Sequence, residues 1–103
     1  MDKKEILKDL RGIPEDVYDM IVLTFYEETR GHLKELALAV EASNWTAIRS
    51  LAHGIKGSAA NLRLFQIQHA AQSLQDASKL NDHEQVVKLF ELLKSLVADA
   101  GMT

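Results

Sequence analysis

Apolar residues recur at helical spacing along nearly the whole chain. A short segment with Ile6, Leu7 and Leu10 ends near Gly12, and four longer stretches follow in which apolar side chains stand three or four residues apart. These stretches predict helices over about 17–42, 45–62, 64–80 and 82–97. Since no stretch alternates apolar and polar residues as a half-buried strand does, the pattern predicts an all-α protein.

Several residues at the ends of these stretches are typical helix starts. Pro14, followed by two acidic residues, suits the first turn of the second helix. Asn44 is a predicted N-cap, and Asp82 with Gln85 three residues later predicts a capping box. Gly31 lies inside the second stretch, where glycine lowers helix stability by about 1 kcal/mol relative to alanine. The second helix is therefore expected either to continue through Gly31 or to bend or break there.

The apolar stripes define a predicted core and an architecture. Short connections between long amphipathic helices imply antiparallel neighbours. We therefore expect an antiparallel up-down-up-down four-helix bundle with a short extra N-terminal helix. The core positions that the stripes predict are Ile21, Val22, Phe25, Leu33, Leu36 and Val40; Ile48, Leu51, Ala52, Ile55, Ala59 and Leu62; Leu64, Ile67, Ala71, Leu74 and Ala77 or Ser78; and Val86, Leu89, Leu93, Leu96 and Val97.

Composition narrows the class of protein further. The 103 residues match one domain at about 150 residues per domain, so residues 1–103 are interpreted as a single unit. Without cysteine there is no disulfide, thiolate zinc site or cysteine nucleophile, which favours a reducing, cytoplasmic location. The net charge of −3 argues against nucleic-acid binding. No apolar run approaches the ~18 residues of a membrane span.

The third helix carries a face that packing does not require. Successive residues advance by about 100°, so Lys56, Gly57 and Ala60 share a face with His53. Ile55 points about 160° away from His53, towards the predicted core. We therefore expect an exposed histidine with a lysine beside it and little side-chain bulk in the next turn.

The residues of this face are chemically suited to hold a phosphoryl group. Gly54 and Gly57 together cost the helix about 2 kcal/mol, which is explained if a partner must approach the backbone closely. A neutral imidazole is a nucleophile, and a nearby ammonium favours the neutral ring. The ammonium of Lys56 would then pair with the oxygens of a phosphoryl group on His53. No acid–base partner is visible nearby, so the patch can hold a phosphoryl group without cleaving ATP.

Residues 52–62, which read AHGIKGSAANL, resemble the signature of histidine-containing phosphotransfer (Hpt) domains. The family pattern is a histidine, any residue, Leu or Ile, then lysine, glycine, small residues and a leucine. The resemblance implies a phosphorelay carrier in which His53 is the phospho-acceptor, Lys56 supports the phosphoryl charge and Gly57 provides clearance. Members often carry a glutamine 22 positions after the histidine that binds the imidazole or the phosphoryl group, and Gln75 stands there.

Further residues of the third and fourth helices complete the expected docking face. Gln72, Gln75 and Lys79 share one polar face of the fourth helix. Ala60 and Arg63 stand where the family commonly has glycine, and a left-handed conformation would cost arginine about 1–2 kcal/mol. Either the third helix continues through Arg63 or its turn differs from the family's. We expect Ala60, Arg63, Gln72 and Lys79 to contact the partner.

The expected partners are the receiver domain of a response regulator and a hybrid histidine kinase. The chain has enough amphipathic helices to close a bundle alone, so we expect a monomer. We expect a phosphotransfer intermediate and not an enzyme, since the sequence has no ATP-binding or kinase motif. It would have no cofactor or metal of its own, with Mg²⁺ in the receiver. Two alternatives stay open: a helical interaction module without phosphotransfer, and the dimerising half of a histidine kinase. The cognate proteins, and whether the chain stands alone or belongs to a larger kinase, are also open.

Overall fold

Helices form nearly all of the chain. The computed structural model describes residues 2–101, with side chains for 2–99; residues 1, 102 and 103 of the predicted domain lie outside the described residues. The described part contains α1 (Lys3–Asp9), α2 (Glu15–Glu41), α3 (Trp45–Asn61), α4 (Phe65–Lys79) and α5 (His83–Gly101). Each helix begins and ends within a few residues of the limits that the apolar stripes predict, except that α5 continues beyond the last apolar position, Val97.

The four long helices close around one core. Helix α3 packs against α2 and α4, and α5 packs against α4 and α2. The result is an elongated bundle that measures 42 × 20 × 19 Å along its principal axes. The predicted all-α four-helix bundle with an extra N-terminal helix is confirmed. None of the described helices combines the length and apolarity that crossing a membrane requires.

Three connections of the same design reverse the chain between these helices. Each is three residues long, and its middle residue has a positive φ between 52° and 61°. The N–H of the following residue donates to the carbonyl five positions back, at 2.9 to 3.3 Å, which is the Schellman arrangement. This geometry holds consecutive helices side by side and antiparallel. The middle residues are Ser43, Arg63 and Asn81.

The predicted N-caps are confirmed, with one correction. The Asn44 side chain accepts from the N–H of Ala47 at 3.2 Å, and the Asp82 side chain accepts from the N–H of Gln85 at 3.1 Å. A capping box also requires the Gln85 side chain to accept from the N–H of Asp82, and this half of the prediction is wrong. The N–H of Asp82 donates instead to the carbonyl of Ala77, because the preceding turn already uses it.

The core follows the stripes, with a few differences. Gly31 neither breaks nor ends α2, which is one helix of 27 residues. Ile21 is 42% exposed, and Phe90, which the stripes omit, is only 6% exposed because it lies on the same face as Val86 and Leu93. Both Ala77 and Ser78 are buried. Four predicted core leucines pack against the core while half-buried: Leu51, Leu64, Leu89 and Leu96.

A buried hydrogen bond joins the start of α2 to the end of α3. The Tyr18 hydroxyl donates to the carbonyl of Leu62 at 2.8 Å. Burial raises the pKa of Tyr18, and the negative charge of Asp19 adds to that effect. Lys3 of α1 pairs with Glu15 and Asp19, at 2.9 and 2.7 Å, so the short helix is held against the same end of the bundle.

We expect Tyr18→Phe to lower the free energy of unfolding by about 1 kcal/mol at pH 7, since the Leu62 carbonyl loses its donor. The wild-type protein should also lose stability above about pH 10, where tyrosines of the unfolded chain ionise while Tyr18 stays protonated. The variant should lose less, and part of the loss should persist because burial also raises the pKa of Tyr26. Urea denaturation from pH 7 to 10.5 measures both effects. Unchanged stability and an unchanged pH slope would contradict the assignment.

Candidate functional site

His53 projects from the exposed side of α3. The opposite side of the helix is buried in the core by Ile48, Ala52, Ile55 and Ala59. The imidazole makes no hydrogen bond or ion pair with any described residue. Both ring nitrogens are therefore accessible to a reactant from outside the bundle.

Lys56 and Gly57 lie one turn further along α3. Lys56 is half-buried, and its ammonium forms no ion pair within the described part of the chain. Gly57 is exposed, and a Cβ built on it, or on Gly54, would meet no atom within 4 Å. Packing within the chain therefore does not require glycine at either position. The small residues leave open space beside His53, and an unpaired cation borders it.

Gln75 lies at nearly the same height as His53 on the neighbouring helix. Measured from Arg63 at the centre of the connection, the two residues are ten and twelve positions away on antiparallel helices, a difference of about 3 Å along the axis. The Gln75 side-chain oxygen Oε1 is buried and has no donor among the described residues. No described hydrogen bond joins it to His53. The expected role of Gln75 stays a prediction, with an orphaned acceptor in its favour.

A carboxylate that the sequence reasoning missed organises the outer side of α4. Asp76 accepts from Nε2 of Gln72 at 2.9 Å, and the Lys79 ammonium lies 3.9 Å from the same oxygen. The missed signal was its spacing, four residues after Gln72 and three before Lys79. Gln72 and Lys79, two of the predicted partner contacts, are therefore held by Asp76 in the unbound protein.

The conformation of Arg63 contradicts both expectations stated for it, a third helix that continues through it and a turn that is not left-handed. Helix α3 ends at Asn61, and Arg63 adopts the left-handed conformation with a φ of 61°. Its Nη1 donates to the carbonyls of Ala60 and Asn61, at 3.1 and 3.2 Å, and its Nε donates to the carboxylate of Asp9. A cation at the C-terminus of a helix is stabilising, so the side chain offsets the strain of its own backbone.

The predicted partner contacts differ in how accessible they are. Ala60 is half-buried one turn beyond Lys56, and Lys79 is exposed. The Arg63 guanidinium is already occupied by Asp9 and by the end of α3. Contact of these residues with a partner stays a prediction. Within the described residues, no group of three His, Asp or Glu side chains is arranged to hold a metal ion.

Comparison with known proteins shows which family the sequence matches and which solved structure has a similar fold. The sequence profile of the Hpt domain family matches residues 20–102. A search of curated proteins finds none that matches the chain. The fold is similar to the crystal structure of histidine-containing phosphotransfer protein B (HptB) from Pseudomonas aeruginosa PAO1, with a TM-score of 0.85 and 22% sequence identity. The likeness covers 99% of this chain and 88% of that one.

We expect Arg63→Ala to lower the free energy of unfolding by about 1–2 kcal/mol, because it removes the cap and the Asp9 ion pair while the left-handed backbone remains strained. Arg63→Gly loses the same contacts but relieves the strain, so it should be about 1 kcal/mol more stable than the alanine variant. Urea denaturation compares the two. Equal stabilities would show that the backbone at residue 63 is not strained.

Proposed function

This chain belongs to the Hpt domain family, and we propose that it carries a phosphoryl group on His53 between a receiver-domain phosphoaspartate and the aspartate of a response regulator. The proposal rests on one observation in particular. The imidazole is exposed and unbonded, the Lys56 ammonium beside it is unpaired among the described residues, and Gly57 leaves the adjoining space open.

The transfer needs little from this chain beyond position and charge. A neutral His53 attacks the phosphorus through Nε2, the nitrogen that reacts in the family. A P–N bond forms as the P–O bond to the receiver's carboxylate breaks, and the carboxylate keeps the electron pair. In the transition state the negative charge is spread over the phosphoryl oxygens. The Lys56 ammonium pairs with these oxygens and stabilises that charge. The receiver supplies Mg²⁺, and the reverse steps charge the next receiver.

An apolar groove between α2 and α3 supports a docking surface for the receiver. The groove has a volume of about 580 Å³ and reaches Ser58 and Asn61 on the side of α3 that continues from Gly57. Three of the apolar residues that line it on α2 are unusually exposed for their type. These are Val17 at 41%, Met20 at 70% and Ile21 at 42%. A receiver seated there would contact α3 about one to two turns beyond His53.

The remaining parts of the proposal follow from this role. The phosphoryl group originates on a histidine kinase, such as a hybrid kinase, because the sequence has no ATP-binding motif. In this role the domain is a phosphotransfer intermediate. It acts as a monomer, since α2 to α5 close one core within a single chain. A carrier with these proposed partners would act in the cytoplasm.

The direct test is labelling by phosphorylated receiver domains. Wild-type protein should take up a label that is labile in acid and stable in base, as a phosphoimidazole is. His53→Gln should take up none, while His69→Gln, at an exposed histidine of α4, should be labelled as the wild type is. A wild-type protein that accepts no label from several receivers would instead support an interaction module without phosphotransfer.

Gly57→Ala should change stability and transfer in opposite directions. Outside its adjacent residues and its own helix backbone, the methyl group meets no described atom within 4 Å, so the variant should gain about 1 kcal/mol of helix stability. Transfer to His53 should slow, because the methyl group occupies the space kept for the phosphoryl group or the receiver. Gly31→Ala is the matched control: Gly31 is exposed and does not line the α2–α3 groove, so the variant should give the same gain with unchanged transfer. Unfolding curves and labelling rates measure the pair. Normal transfer by the Gly57 variant would remove the clearance role.

A further inference from the structure

A second groove runs between α2 and α5, with a volume of about 400 Å³. Its lining spans residues 30–37 of α2 and 90–98 of α5, which is about two helical turns of each. The floor is apolar and the rims are basic. Leu33, Phe90 and Val97 form the floor, and Arg30, Lys34 and Lys94 stand on the rims.

The charge of this groove is opposite in sign to that of the whole protein. The chain carries a net charge of −3, yet no described carboxylate lines the groove. Lys34 forms no ion pair within the described residues. The Lys94 ammonium lies 6.0 Å from the centroid of the Phe90 ring, so its charge is held over the apolar floor. This lining is complementary to a ligand that is apolar along its centre and acidic at its edges.

The groove lies away from the proposed phosphoryl site. In a bundle where α3 and α4 pack against each other and α2 packs against α5, the α2–α5 groove is on the side opposite the α3–α4 face. His53 and Gln75 belong to that α3–α4 face. A ligand in the second groove would leave the imidazole accessible, so its function is separate from phosphotransfer.

We propose that the α2–α5 groove binds an acidic amphipathic helix of a partner protein. Two parallel ridges with an apolar floor between them match the apolar face of a third helix. A lysine stands on each rim, Lys34 on α2 and Lys94 on α5. That arrangement matches carboxylates on both flanks of a helix, whereas a fatty acid or lipid offers a single charged head. The distribution of charge thus favours a peptide.

The test uses a fluorescent synthetic peptide of about four helical turns, with leucines on one face and glutamates on both flanks. Fluorescence anisotropy should show binding to wild-type protein, and a peptide with lysine in place of glutamate should not bind. Lys34→Glu/Lys94→Glu should weaken binding of the acidic peptide about tenfold or more. Lys4→Glu/Lys8→Glu, at two exposed lysines of α1, changes the net charge equally and should have less than about a twofold effect.

Two further measurements locate the ligand. Ala98→Glu places a carboxylate at an exposed position in the groove and should also weaken binding, while circular dichroism reports an intact fold. Amide NMR shifts should change on α2 and α5 and not around His53. Binding that survives the charge reversal, or shifts confined to the α3–α4 face, would overturn the proposal. So would lysine-dependent binding to phosphatidylglycerol vesicles in the absence of peptide binding, which would indicate a membrane ligand.

Discussion

Helix α3 is buried on two sides, by α2 and by α4, and this constraint decides which of its side chains can react. The stripe that includes Ile48 and Ile55 must face the core, so the residues about 140–160° away from it face solvent. His53 occupies that strip, and Lys56 and Gly57 follow it by one turn. The site therefore needs no cavity, because the packing of α3 against α2 and α4 fixes the direction in which the His53 side chain leaves the helix.

The three-residue connections set the position, along the bundle axis, of the residues on the helices next to α3. Because each turn uses the same Schellman hydrogen bonds, α4 returns alongside α3 with a defined register. That register brings Gln75 close to the level of His53. At residue 63 the turn also depends on a charged side chain, which caps α3 and holds α1 through Asp9. The short first helix is thereby attached to the end of the helix that carries the histidine.

Periodicity was enough to predict the fold because each long helix buries one continuous stripe. It also placed His53 on the exposed side, since that required only the geometry of one helix. The left-handed conformation of Arg63 could not be predicted, because arginine disfavours it and the compensating contacts come partly from Asp9, 54 residues away in the sequence. Nor could the half-satisfied capping box at Asp82, where the preceding turn competes for the same N–H.

Other features are formed between two helices, so no local pattern in the sequence could predict them. The basic α2–α5 groove combines Lys34 with Lys94, which no local pattern connects. The orphaned oxygen of Gln75 depends on how α4 packs against α3. The spacing of Asp76 from Gln72 and Lys79 is visible in the sequence. Its hydrogen bond to Gln72 and its ion pair with Lys79 bear on the candidate site only because α4 packs against α3. Sequence reasoning thus singled out the candidate residue, His53, and the structure supplied its surroundings.

The central claim is that His53 alone among the four histidines accepts the phosphoryl group. Long-range ¹H–¹⁵N NMR of the imidazole rings, recorded before and after exposure to a phosphorylated receiver domain, tests it most directly. The account predicts that the Nε2 resonance of His53 shifts while the rings of His32, His69 and His83 stay unchanged. A shift at any of those three rings with His53 unaffected would contradict it.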